Sequence, residues 1–204
     1  MGKFDYSSHR KRTWRDYEVY IKRLRGNPNP ILDMGSGIGL LLEACREKGI
    51  EAVGIEYEAE GVEETKQRGL VAYQHDLEFP ADFLKDESFA AVISNQVIEH
   101  LSPTAQFNLV SEAFRVLKPG GQVLIMSPCR HFEAARQDIY HIGLLTPTEL
   151  RQLMESVGFI NCNMGYNRPQ EVAEIPAEVL EEIWKKFRPD LLSKSATVLA
   201  YKPD

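Results

Sequence analysis

Two rhythms of apolar and polar positions alternate along the chain. Short runs that are almost wholly apolar recur at "PILDM" (30–34), "EAVGIE" (51–56), "LVAYQ" (70–74), "FAAVISN" (89–95) and "QVLIMS" (122–127). Runs of that length without alternation predict strands buried on both faces of a parallel sheet. Between them, apolar residues return every three or four positions, which predicts helices over Ile38 to Lys48, over "EAEGVEETKQRG" (58–69) and over about 104–117. Gly49, Gly69 and "KPGG" (118–121) stand where those helices should stop. Thr146, Pro147 and Glu149 form an N-cap, a first-turn proline and a capping-box acid for a further helix, closed by Gly158. A sixth strand, "FINCNM" (159–164), follows, then a helix from Pro176 to about Phe187 and an alternating, edge-like strand "SATVLAYKP" (195–203). The pattern predicts an α/β fold: a doubly wound, mostly parallel seven-stranded sheet with the last strand antiparallel.

The first 29 residues read differently. They predict a helical segment with Trp14, Tyr17 and Tyr20 on one face, separated from the domain of residues 30–204 by Asn27-Pro28-Asn29-Pro30. Residues 1–25 carry eight Lys or Arg against three acids, on a chain whose net charge is −6. The sequence thus has a basic segment on an acidic domain, which reads either as a solvated helix or, more sharply, as a lid that attracts a small, anionic substrate. Three cysteines, Cys45, Cys129 and Cys162, lie far apart with no metal-ligand spacing and no even disulfide framework, which fits a reducing, cytoplasmic setting. No apolar run is long enough for a membrane span, and no dedicated nucleic-acid module is apparent.

The first strand runs into "ILDMGSGIGLLLEA" (31–44), a strand, a glycine turn and a helix. Such turns hold nucleotide-like cofactors at the carboxyl end of the sheet. The nicotinamide fingerprint is G-x-G-x-x-G, whereas here the spacing is G-x-G-x-G and position 40 is Leu. Glu56 ends the second strand, 21 residues after Gly35, where a carboxylate can accept both ribose hydroxyls; nicotinamide enzymes share that feature. A nicotinamide oxidoreductase and a non-catalytic cofactor-binding protein are the alternatives to an enzyme of another class.

"LDMGSGIG", "VGIE", "HDLEFP", "NQVIEHL" and "LKPGGQVLI" occur in one register, and through them the sequence resembles the class I S-adenosylmethionine-dependent methyltransferases, near the small-molecule branch that includes quinone-biosynthesis enzymes. The resemblance covers about residues 30–165. It implies the Rossmann-like methyltransferase fold and S-adenosylmethionine as cofactor. It also implies that Asp33 and the Gly35–Gly37–Gly39 turn lie under the methionine part, that Glu56 takes the ribose diol, that Tyr57 packs on adenine, that Asp76 and the backbone of Leu77 meet the adenine amine, and that the Asn95 carbonyl receives the ammonium.

Methyl transfer from a sulfonium is an in-line displacement with a good, neutral leaving group, so alignment dominates and a base helps when the acceptor is a hydroxyl. His100 follows the fourth strand on the carboxyl side of the sheet, and His141 lies in the long stretch after the fifth, so these two are the candidate bases. Asp138, three residues before His141, can orient its ring. Trp14, Tyr17, Arg130, His131 and Arg136 are candidate acceptor contacts. No metal ligand is assigned. Asn95-Gln96-Val97 lacks the proline-aromatic pattern of amino-directed adenine or glutamine methyltransferases, and no Pro-Cys follows that strand.

Overall fold

The computed structural model describes residues 4–165, 176, 178, 179, 182 and 193–204. Among these, seven strands form one sheet in the order β3-β2-β1-β4-β5-β7-β6. The strands are β1 (Ile31–Met34), β2 (Ala52–Glu56), β3 (Val71–Gln74), β4 (Phe89–Asn95), β5 (Leu117–Pro128), β6 (Ile160–Gly165) and β7 (Ser195–Tyr201). β1 to β5 pair in parallel, and β7 is antiparallel to both β5 and β6. The expected helix from Pro176 to about Phe187 lies largely outside the described residues.

The innermost strands are apolar because both faces are covered. Every residue of β1 is buried, and Val92, Ile93, Val123, Leu124 and Ile125 of β4 and β5 are fully so. On one face α4 (Pro103–Val116) and α6 (Pro147–Val157) contribute Leu109, Val110, Ala113, Leu150 and Met154 to the core. On the other, α2 (Leu40–Glu47) contributes Leu41, Ala44 and Cys45, and α1 (Glu18–Arg23) contributes Ile21. α3 (Ala59–Gln67) packs beside β2 and β3, and the one-turn α5 (Glu133–Arg136) lies in the loop after β5. α6 starts as its sequence requires: the Glu149 N–H donates to Thr146 Oγ1 at 3.2 Å and the Thr146 N–H donates back to Glu149 Oε2 at 2.8 Å. Gly158 then caps it in the left-handed region.

Three expectations need correction. The final strand is not an edge. β7 lies between β5 and β6, with Ala196, Val198 and Ala200 buried, so its alternation reflects small residues under helices rather than solvent. The "KPGG" turn does not precede β5 but falls within it, as a register break between the Phe89–Leu117 and Ala91–Gln122 pairs. The first 29 residues hold less helix than expected: two single 3-10 turns, His9–Lys11 and Trp14–Asp16, precede the six-residue α1. Their joint with the sheet is anchored. The Glu51 N–H donates to Asn29 Oδ1, and the Gln122 side chain pairs with both backbone groups of Arg25. Ile21 and Leu24 are buried against the sheet, so part of this segment belongs to the core.

Candidate active site

The turn after β1 is a close meeting of backbone and side chain. Gly35 has φ +89°, and a Cβ there would lie 2.1 Å from Val97 Cγ2. Gly39 has φ +80°, and a Cβ there would lie 2.8 Å from Thr65. These glycines are needed for positive φ and for packing within the protein. Asp33, under the turn, is buried, and its pKa is pushed up to about 8 by burial and then by the nearby Glu56.

Glu56 closes β2 and is fully engaged. Its Oε2 accepts the Gly37 N–H at 2.7 Å and its Oε1 the Glu58 N–H at 2.9 Å. It also accepts a hydrogen bond from Tyr6, a residue that the sequence pattern does not single out. Tyr6 is 3% exposed, and its hydroxyl stands 2.8 Å from where a Cβ on Gly61 would be. Burial and the Glu56 charge raise the Tyr6 pKa. Tyr17, near Asp33, and Tyr20, whose hydroxyl accepts from Asn95 Nδ2 at 3.3 Å, continue the same contact. Tyr6 and Tyr20 of the first segment therefore each meet a predicted cofactor residue, and Tyr17 lies within electrostatic reach of a third. Trp14 packs beside them on the α2 face, under Arg15.

The other predicted cofactor positions follow the sheet. Tyr57 is 51% exposed just past β2, and Gln74 holds its carbonyl. Asp76 sits after β3, its Oδ1 accepting the Glu78 N–H at 3.0 Å, and Leu77 is buried in the core. Asn95 ends β4, and the next residue, Gln96, takes φ +60°, a strained value for a side-chain-bearing residue. A surface cavity of about 520 Å³ lined by Ile21, Leu24, Asn27 and Ile50 lies at the opposite, amino end of the strands, away from these groups.

Beyond Gln96 the chain forms a one-turn 3-10 helix, Ile98–His100. The 129–145 loop folds back onto it. The Gly143 N–H donates to the Glu99 carbonyl at 2.8 Å, and Gln106 Nε2 bonds both Ile98 O and Gly143 O. A Cβ on Gly143 would meet Leu101 O at 2.2 Å, so this closure depends on glycine. The loop thereby delivers His141 to His100, with ring centroids 5.0 Å apart. His100 Nδ1 faces Tyr140 O at 3.1 Å and His141 Nδ1 faces Ala135 O at 2.8 Å. Glu99 is fully buried beside them, neither of its oxygens has a hydrogen-bond partner, and burial pushes its pKa up to about 8. Burial lowers the pKa of His100. Asp138 reaches His141 Nε2 at 3.7 Å from a turn rather than from a helix.

The remaining acceptor candidates separate. Arg130 bonds Leu144 O and pairs with Glu149 at 2.5 Å, so it is tied to the start of α6. Arg136 and His131 are exposed. Arg10, counted among the basic charges, pairs with Glu60 and Glu64 of α3. Glu99 is visible in the sequence as part of "NQVIEHL", an acid set among Val97, Ile98 and Leu101 that lacks the partner of a paired-glutamate loop, but its place beside His141 is not.

A family model of a methyltransferase domain matches residues 6–162. The chain belongs to the class I S-adenosylmethionine-dependent methyltransferases. The cofactor of this family is S-adenosylmethionine, which sets aside the nicotinamide alternative. Among curated methyltransferases, a probable S-adenosylmethionine-dependent methyltransferase of Mycolicibacterium smegmatis is 33% identical over 174 residues, covering 80% of this chain and 66% of that protein. A mitochondrial ubiquinone biosynthesis O-methyltransferase of Mus musculus is 32% identical over 103 residues, 47% of this chain and 27% of the relative. The chain spans about two thirds or less of the length of these relatives. A solved S-adenosylmethionine-dependent methyltransferase from Archaeoglobus fulgidus shares the fold, with a TM-score of 0.75 at 23% identity over 93% of this chain and 92% of that one. The turn after β1, Glu56 and Asn95 lie at the carboxyl ends of β1, β2 and β4.

Proposed function

We propose that this methyltransferase transfers the methyl group of S-adenosylmethionine to an oxygen of a small molecule held between the 98–100 turn and the 129–145 loop. The observation that carries this reading is the state of His100. Its Nδ1 is engaged by the Tyr140 carbonyl, which makes Nδ1 the protonated nitrogen and leaves Nε2 free to take a proton. Burial lowers its pKa, which favours the neutral ring with its Nε2 lone pair available. His141 stands beside it as a second acceptor or orienting group. An acceptor hydroxyl loses its proton to Nε2 as its oxygen attacks the methyl carbon, and the sulfonium leaves as a neutral thioether.

An uncharged, hydroxylated acceptor fits better than an anion, because Arg10 and Arg130 are spent in ion pairs. Ile139, Tyr140 and Ile142, exposed on the same loop, offer an apolar surface for its carbon skeleton. The Mus musculus relative is named for O-methylation, which supports the choice of oxygen. The first segment serves as a lid, with Tyr6, Tyr17 and Tyr20 closing over Glu56, Asp33 and Asn95. The three cysteines lie far apart in the sequence with no even disulfide framework, which supports a reducing, cytoplasmic setting, and no helix among the described residues is long and apolar enough to cross a membrane.

The test is transfer of a radiolabelled methyl group to matched panels of phenols, catechols and amines. Label should enter the hydroxylated compounds, and His100→Ala should lower turnover by about 10²–10⁴ while leaving S-adenosylhomocysteine affinity unchanged. Labelling of amines alone, or turnover indifferent to His100, would overturn the reading.

A further inference from the structure

Glu99 poses a problem that the acid–base reading leaves unsolved. A fully buried carboxylate with neither oxygen hydrogen-bonded is costly, and buried polar groups of native proteins nearly always have partners. What faces it is equally unusual. The free Nε2 of His100 lies 3.9 Å from Glu99 Oε1. One donor atom from each of Glu99, His100 and His141 falls within 4.8 Å of the others. Both rings have Nδ1 against a backbone carbonyl, Tyr140 O and Ala135 O, so both present an Nε2 lone pair. Two nitrogen lone pairs and a carboxylate converge with no donor between them. That arrangement is repulsive unless a proton or a cation sits at its centre.

We propose that Glu99, His100 and His141 form a binding site for a divalent first-row transition-metal ion. The carbonyl-to-Nδ1 bonds are the outer contacts that orient metal-binding histidines elsewhere. Two imidazoles and one carboxylate suit Zn²⁺, Mn²⁺ or Fe²⁺ better than Ca²⁺ or Mg²⁺, which prefer all-oxygen surroundings. Tetrahedral ligation at ~2.0–2.1 Å sets donor atoms about 3.4 Å apart, so each side chain needs to move inward by less than about 1 Å. Asp138 Oδ2, 3.7 Å from His141 Nε2, adds negative charge at the rim. The ion would clamp the 129–145 loop to the 98–100 turn, joining ligands some forty residues apart. Three protein ligands leave a position open. An acceptor oxygen bound there would lose its proton more readily, and with the ion bound His100 Nε2 is a ligand rather than the proton acceptor; that consequence rests on the proposed transfer to oxygen, whereas the binding itself does not.

The full, untagged chain is stripped with chelator and titrated with Co²⁺ and with Zn²⁺. Co²⁺ should bind one per chain with the visible absorption of a tetrahedral or five-coordinate nitrogen–oxygen site, Zn²⁺ should displace it, and Zn²⁺ should raise the melting temperature. Glu99→Gln and His141→Ala should each weaken Co²⁺ binding by about 10–100-fold. His141→Ala, at the loop surface, keeps the test valid if the buried change unfolds the protein. Absence of a stoichiometric Co²⁺ spectrum in the wild type, or a spectrum unchanged in folded variants, would overturn the proposal. Transfer of radiolabelled methyl to the phenol and catechol panel by the same samples separates the two readings, because a failed metal site leaves transfer to oxygen by the His100 base intact.

Discussion

Glu56 and Glu99 stand near the carboxyl edge of one sheet and are buried in opposite ways. Glu56 accepts two backbone N–H groups and the Tyr6 hydroxyl, so its charge is already stabilised by its neighbours. In the proposed cofactor pose such a carboxylate would accept the sugar hydroxyls. Glu99 has no donor at all and faces two imidazoles. It is in balance only with a proton or a cation. The proposed cofactor side is thus already satisfied by its neighbours, while the proposed acceptor side is a cluster poised to take up charge.

Gly35 joins the two regions, since it packs on Val97, two residues before Glu99. Gly35→Ala should break both at once. Steric overlap with Val97 and a positive φ should together cost about 4 kcal/mol of stability, read from urea midpoints. A midpoint within error of wild type would show that the turn and the β4 exit are not rigidly coupled. Glu56→Ala should sharpen the contrast. Loss of the ribose bonds should weaken S-adenosylhomocysteine binding by about 2–4 kcal/mol in calorimetry. Two backbone donors are orphaned as well, so stability should fall by about 1–2 kcal/mol; a residue bearing only on ligand would leave it unchanged.

Asp33 tests the proposed cofactor side by pH. Its folded pKa is raised to about 8 by burial and by Glu56, with Cys45 on α2 and Tyr17 on the first segment also facing it. The folded state therefore holds a proton that the unfolded state releases near pH 4, and stability from this group is lost as pH rises from about 4 to 8. Asp33→Asn should flatten that slope by about 1 kcal/mol per pH unit. Parallel stability curves for the two proteins would mean that Asp33 is already ionised. Tyr6→Phe should have the smallest effect: about 1 kcal/mol of stability, with cofactor association changed more than folding. Unaltered cofactor kinetics would remove Tyr6 from the proposed lid.

How much of this can be read from residues alone divides along the same line. β1, its turn and Glu56 are close in sequence, and glycine spacing after an apolar run has few structural solutions. The proposed lid is legible as an aromatic, basic segment, but its anchors are not. Ile21 and Leu24 pack into the core, so a truncated chain starting at Gly26 would lose apolar cover from Leu41 and Ile93. A cut before Thr13 removes Tyr6 and Arg10 while sparing that cover. The acceptor cluster depends on a fold-back from His141 to His100 through Gly143, and local pattern carries no trace of such a contact. Likewise, Arg10 and Arg130 look like free cations until α3 and Glu149 are brought beside them.

The position of β7 bears on how the protein is made. β7 follows β6 in the chain but separates it from β5 in the sheet. During synthesis, β6 therefore emerges with no place to dock, and the flank of β5 stays open until residues 195–201 have left the ribosome. At ~5–20 residues per second, that interval lasts a few seconds at least. For that time a long apolar strand presents unpaired backbone, the condition under which nascent chains pair with one another.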